Sequence, residues 1–101
     1  SAASDVYKRQ VYNKIFEAVE KVPGASNPHR VRSRMIGNRY IITLDIEVNP
    51  QITITQAHEI AGAVEKSIES SIDNVYDILV HVEPAGECQT DEKFGVDKDM
   101  V

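Results

Sequence analysis

Three histidines and a set of carboxylates carry most of the chemistry that this sequence could perform. His81 and Glu83 lie two residues apart in an alternating segment, so both side chains leave one face of a strand. An imidazole nitrogen and a carboxylate oxygen at that spacing can address one cation. His29 stands just before an arginine-rich strand, and His58 lies in the opening turns of a helix. There the positive end of the helix dipole disfavours imidazolium and keeps the ring available as a ligand. Spacing alone also allows plainer roles: a loop histidine at His29, a capping residue at His58, and a hydrogen-bonded pair at His81 and Glu83.

Other chemistries find less support. No GxSxG elbow, GxGxxG loop or phosphate-binding loop is present. The single cysteine, Cys88, can form no internal disulfide and no CxxC pair, which suits a reducing compartment. The carboxylates show no acid–base pairing, so the chain does not read as an enzyme. Arg30, Arg32 and Arg34 could meet phosphate or acidic lipid, but Asp45 and Glu47 lie beside them as competing salt-bridge partners. Tyr7, Tyr12, Tyr40 and Tyr76 form no stacking platform.

These residues must be positioned by a small set of elements. Val11, Ile15, Val19 and Val22 recur at helical spacing, predicting a helix from about Asp5 to Val22, with Ser4 or Asp5 as its cap and Pro23-Gly24 as its stop. Residues 25–28 read as a loop. Two alternating segments, Arg30–Ile36 and Tyr40–Val48, flank Gly37-Asn38, a hairpin turn of type I′ or II′. That turn sets Ile36 against Arg39 and, counting back, Arg30 against Asp45. Val31, Met35, Ile42, Leu44 and Ile46 then form the core face. The other face holds the three arginines, Ile41, Thr43, Asp45 and Glu47.

Asn49-Pro50 ends the second strand, and Thr53 with Gln56 forms a capping box. Ile54, Ala57, Ala61, Val64, Ile68 and Ile72 mark the buried stripe of a second helix, and Val75–Glu83 is the last strand, closed by Pro84. The order α-β-β-α-β predicts an α+β open-faced sandwich of ferredoxin-like type, with both helices on one face of a three-stranded sheet. The bare face carries Ile41 and Leu79, which a partner subunit would cover.

The chain has 101 residues and a net charge of −5, enough for one domain over residues 1–86 and unlike a dedicated nucleic-acid binder. Residues 87–101 are aperiodic and acidic and read as a mobile tail. No run of ~18 apolar residues is present, so nothing is expected to span a bilayer. The start shows no secretory signal pattern either.

Together the segments Pro23-Gly24, His29-Arg30-Val31-Arg32-Ser33-Arg34, Gly37, Leu44–Val48, Gln56-Ala57-His58, Val64-Glu65 and Val80–Pro84 resemble the cytoplasmic C-terminal domain of cation diffusion facilitators, over about residues 5–86. Those proteins are divalent metal/proton antiporters. The resemblance implies a metallochaperone-like fold, a homodimer beneath the membrane, and a metal site near the dimer contact. It implies His29, His58, His81 and Glu83 as ligands, three imidazoles and one carboxylate around Zn²⁺ in near-tetrahedral geometry. Fe²⁺, Mn²⁺, Co²⁺ and Cd²⁺ are alternatives. Magnetosome-type members are similar, are tied to iron, and often place an acid near the position of Thr43; here Asp45, on the same face, is the substitute. The family's transport path lies in transmembrane helices, which implies that this chain is the regulatory domain of a protein whose membrane part, in a bacterial inner or magnetosome membrane, is absent here. The alternatives are a metal-independent dimerisation and docking module, and an amino-acid-binding domain of similar fold.

Overall fold

A computed structural model describes residues 2–86 of the chain, with side chains from Lys8 onward. Helix α1 spans Ala2–Glu20, strand β1 Ser26–Ile36, strand β2 Arg39–Val48, helix α2 Ile54–Ser71 and strand β3 Val75–Pro84. The order is the expected α-β-β-α-β. The predicted acidic tail, including Cys88, lies outside the described residues.

The sheet runs β1-β2-β3, with β1 antiparallel and β3 parallel to the central β2. Antiparallel pairing follows from the two-residue turn. Gly37 has φ 61° while Asn38 is not left-handed, as a II′ turn requires. Parallel pairing follows from α2, the crossover that a β2-to-β3 connection needs. The Thr53 hydroxyl accepts from the Gln56 amide and the Gln56 side chain accepts from the Thr53 amide, so the capping box is complete.

Alternate strand residues meet the helices in one core. Val31, Ile42, Leu44, Ile46 and Ile78 pack with Val11, Ile15, Val19, Val64, Ile68 and Ile72. Each fully buried aliphatic chain contributes about 1.5–3 kcal/mol over an exposed one. The Ser67 hydroxyl donates to the Ala18 carbonyl at 2.7 Å and ties α2 to α1.

Five local expectations are corrected. Met35 is 49% exposed and Ile54 90% exposed, so neither is core. Met35 lies at the hairpin tip, beyond the helices' reach, and Ile54 sits one residue after the cap, before α2 settles onto the sheet. Helix α1 begins earlier than Asp5, at Ala2, because two alanines extend it readily. Strand β1 reaches back to Ser26 rather than starting near His29, and it does so through two register irregularities. From Arg32 to Ile36 the pairing is as the turn dictates, but His29, not Arg30, lies opposite Asp45.

Candidate metal centre

The irregular half of β1 creates the site. Asn27 has φ 46° and Arg30 φ 48°, both left-handed. Asparagine tolerates this conformation; arginine does so at a cost of order 1 kcal/mol. Arg30 takes up the extra residue of a bulge, which shifts the register by one and brings His29 level with Asp45. On the other side of β2, Asp45 pairs with His81 and Glu47 with Glu83. Parallel pairing thus sets Asp45-Ile46-Glu47 beside His81-Val82-Glu83. His29, Asp45 and His81 form one row across the three strands, with Glu47 and Glu83 in the next row.

The side chains converge on the sheet face away from the helices. His29 Nε2 lies 2.9 Å from Glu83 Oε1 and 3.9 Å from Asp45 Oδ2. His81 Nδ1 lies 3.6 Å from Asp45 Oδ1 and 3.7 Å from Glu83 Oε2. The Arg30 guanidinium clamps Asp45 Oδ2 through Nε and Nη2, and Nη2 also approaches Glu83 Oε2 at 3.5 Å. Glu47 accepts a hydrogen bond from Asn27 Nδ2 at 2.7 Å. Asp45 and Glu47 are each only 7% exposed, whereas His81 is open to solvent.

Two sets of donor atoms are close enough to share one ion, His29-Glu47-Glu83 and Asp45-His81-Glu83, with Glu83 common to both. In each set the ligand atoms lie within 4.8 Å of one another. The donor chemistry fits a divalent cation: imidazole suits zinc and its neighbours, and carboxylate oxygens widen the range towards harder ions. Charge points the same way. Three carboxylates face one guanidinium and two imidazoles, so the face stays net negative while the rings are neutral.

The tautomer of His29 is fixed by its surroundings. Nδ1 donates to the Asn27 carbonyl at 2.7 Å, leaving Nε2 turned towards Glu83. Partial burial alone would lower the pKa of this ring. The Asn27 carbonyl, then the Glu83 carboxylate, then Asp45 outweigh that and raise it above its ordinary value. A proton on Nε2 and a cation in front of it therefore satisfy the same carboxylates.

Of the residues singled out in the sequence, His29, His81 and Glu83 come together. His58 lies exposed on α2 and belongs to neither set. Asp45, the substitute acid, joins His81 and Glu83. Glu47 was not singled out as a ligand, although it leaves the same face of β2 as Asp45; the parallel D-x-E and H-x-E segments were the available signal. The Arg30–Asp45 ion pair forms as expected, but from a bulge rather than from opposed positions.

Residues 8–85 match the cytoplasmic domain of cation efflux proteins. Magnetosome protein MamM of Magnetospirillum gryphiswaldense is 36% identical over 73 residues, covering 72% of this chain and 23% of that protein. A probable cation efflux system protein of Mycobacterium tuberculosis is 30% identical over 92 residues, covering 84% of this chain and 28% of its own length. The chain therefore spans about a quarter of these relatives. Among solved structures, the metal-bound C-terminal domain of the CzcD transporter from Thermotoga maritima superposes with a TM-score of 0.77. It is 36% identical, and the match covers 82% of this chain and 96% of that one. A cadmium form of a MamM C-terminal domain variant gives a TM-score of 0.71 at 35% identity, covering 74% of this chain and 94% of that one.

Proposed function

This chain belongs to the cation efflux family, as a cytoplasmic domain, and from that membership we propose that it is the regulatory module of a divalent-cation efflux transporter. It binds a cation from the cytosol through the bare sheet face and couples that binding to the geometry of a homodimer. The observation that carries this reading is the gathering of two imidazoles and three carboxylates within coordination reach of one another. Metal-bound relatives of the same fold support it.

His29, His81, Glu83 and Asp45 or Glu47 are the residues that would hold the ion, and a bound divalent cation supplies positive charge that the face lacks. Zn²⁺ is the first choice because imidazole and carboxylate together suit it. Fe²⁺, Mn²⁺, Co²⁺ and Cd²⁺ remain within the range of this donor set. His58 stands exposed on a separate element and would reach such an ion only from a second subunit. Without the ion, the acidic faces of two subunits repel and favour open arrangements; with their charge offset, closed ones gain. The shift is set by the difference in cation affinity between the two arrangements.

Calorimetry with Zn²⁺ on the wild type and on a His29→Ala/His81→Ala variant tests the site. The variant is expected to lose most of the binding heat, and equal heats from both proteins would remove these residues from it. A His58→Ala variant, titrated beside them, reports whether α2 contributes.

A further inference from the structure

The end of the sheet opposite the cation cluster has its own chemistry. Between Pro28 and Leu44 the sequence contains Arg30, Arg32, Arg34 and Arg39 and no acid, in a chain whose net charge is −5. Arg30 turns back to Asp45. Arg32 shares a concavity with Arg30, Thr43 and Asp45, while Arg34 and Arg39 are exposed at the hairpin tip. At that tip Met35 is 49% and Ile36 55% exposed. Adjacent strand residues point to opposite faces, so the turn presents an apolar side chain on each side. No core residue requires either of them, and both are flanked by arginines.

The neighbouring elements extend this basic pole. Helix α1 runs back along β1, and Gln10, Val11 and Lys14 line a cavity with Tyr40 and residues 72–74, at the hairpin-tip end. The exposed Lys8 and Arg9 lie on the same helix, further towards its start. Asp73 lines this cavity as well, and with Asp77, Glu65 and Glu69 it also lines a concavity on the β3 side. The acid-free, apolar-tipped part is therefore the turn and the strand ends that carry it.

We propose that the Arg34–Arg39 hairpin tip docks on an anionic lipid surface, with Met35 and Ile36 entering the interface and Arg34 and Arg39 meeting the headgroups. Apolar tips ringed by cations suit that boundary better than they suit water. Juxtamembrane cations each contribute roughly 1 kcal/mol near an anionic leaflet, about fivefold in partitioning. Charge complementarity selects the occupant, because a second copy of this acidic chain offers less negative charge density than an anionic bilayer. The contact lies at the far end of the sheet from the cation cluster, so its failure would leave the metal reading untouched.

The chain contains no tryptophan, so an Ile36→Trp variant of the full chain carries one unambiguous reporter. Mixed with vesicles of phosphatidylcholine and ~30% phosphatidylglycerol at low salt, it is expected to co-sediment and to blue-shift its emission. Pure phosphatidylcholine vesicles should give neither response. An Arg34→Gln/Arg39→Gln pair should cut partitioning of the otherwise wild-type chain about 25-fold, with an unchanged melting curve. A Met35→Ser/Ile36→Ser pair should lose co-sedimentation while keeping its fold. Three results would overturn the proposal. One is no binding to anionic vesicles above the neutral ones. Another is equal binding of inorganic phosphate, which would make the tip a plain anion site. The last is a concentration-dependent blue shift without vesicles, which would make it a contact between copies of the chain.

Discussion

His29 is the residue on which the cation cluster turns. Its Nδ1 is committed to the Asn27 carbonyl, so Nε2 alone can take a proton or a metal. The two compete, and cation affinity should rise with pH as Nε2 gives up its proton. The sign for the metal-free fold is opposite. A histidine pKa raised on folding adds stability that is complete below its unfolded value, about 6.5, and is lost as pH rises through the higher folded value. Melting curves between about pH 6 and pH 8 should therefore show the metal-free wild type weakening relative to His29→Ala, while the gap between metal-free and Zn²⁺-loaded protein widens. A pH-independent gap would mean that His29 does not meet the ion. Arg30 gives a second test, since its guanidinium occupies oxygens of Asp45 and Glu83 that a cation would use. Arg30→Gln is expected to tighten Zn²⁺ binding in calorimetry. It should also lower metal-free stability by about 1–3 kcal/mol, because the buried Asp45 loses its main partner.

At the scale of elements, the regular parts of the fold were legible and the irregular part was not. The capping box, the hairpin turn, the stripe Val64-Ile68-Ile72 and the alternation of β3 all follow from period and local chemistry, and the structure has them. The bulge does not follow. Nothing in the types of Asn27 and Arg30 announces a left-handed backbone at both, and that bulge decides whether His29 or Arg30 faces Asp45. Parallel pairing of β2 with β3 was equally out of reach of period alone, and it brings Glu47 beside Glu83. Met35 and Ile54 show the converse limit, because alternation and helical spacing assign a face without saying whether anything covers it. Helix α2 offers a control for the site: Thr53→Ala should lower stability by about 1 kcal/mol through loss of the cap. Zn²⁺ affinity should not change, since the helix start is remote from the sheet-face cluster. A parallel loss of affinity would favour a ligand role for His58 on that helix.

The whole molecule places two chemistries at opposite ends of one sheet, a cluster of imidazoles and carboxylates and a basic, apolar-tipped turn. Its relatives are cation efflux proteins rather than enzymes, and among the described residues no helix is long and apolar enough to cross a membrane. Ion binding at ~100 times the dissociation constant stabilises the bound form by about 2.7 kcal/mol, or roughly 10–20 °C in melting temperature for a domain of this size. Small-angle scattering should show a more compact dimer with Zn²⁺ than without it. An unchanged radius of gyration beside a raised melting temperature would leave a cation site with no coupling to dimer shape, the behaviour of a docking module.

Anomalous diffraction at the zinc edge, from crystals of this chain soaked in Zn²⁺, tests the central claim most directly. The expected result is a peak on the bare sheet face, about 2.0–2.2 Å from His29 Nε2 or His81 and from an oxygen of Glu83. A map with no density there, or with zinc held only by other residues, would contradict it.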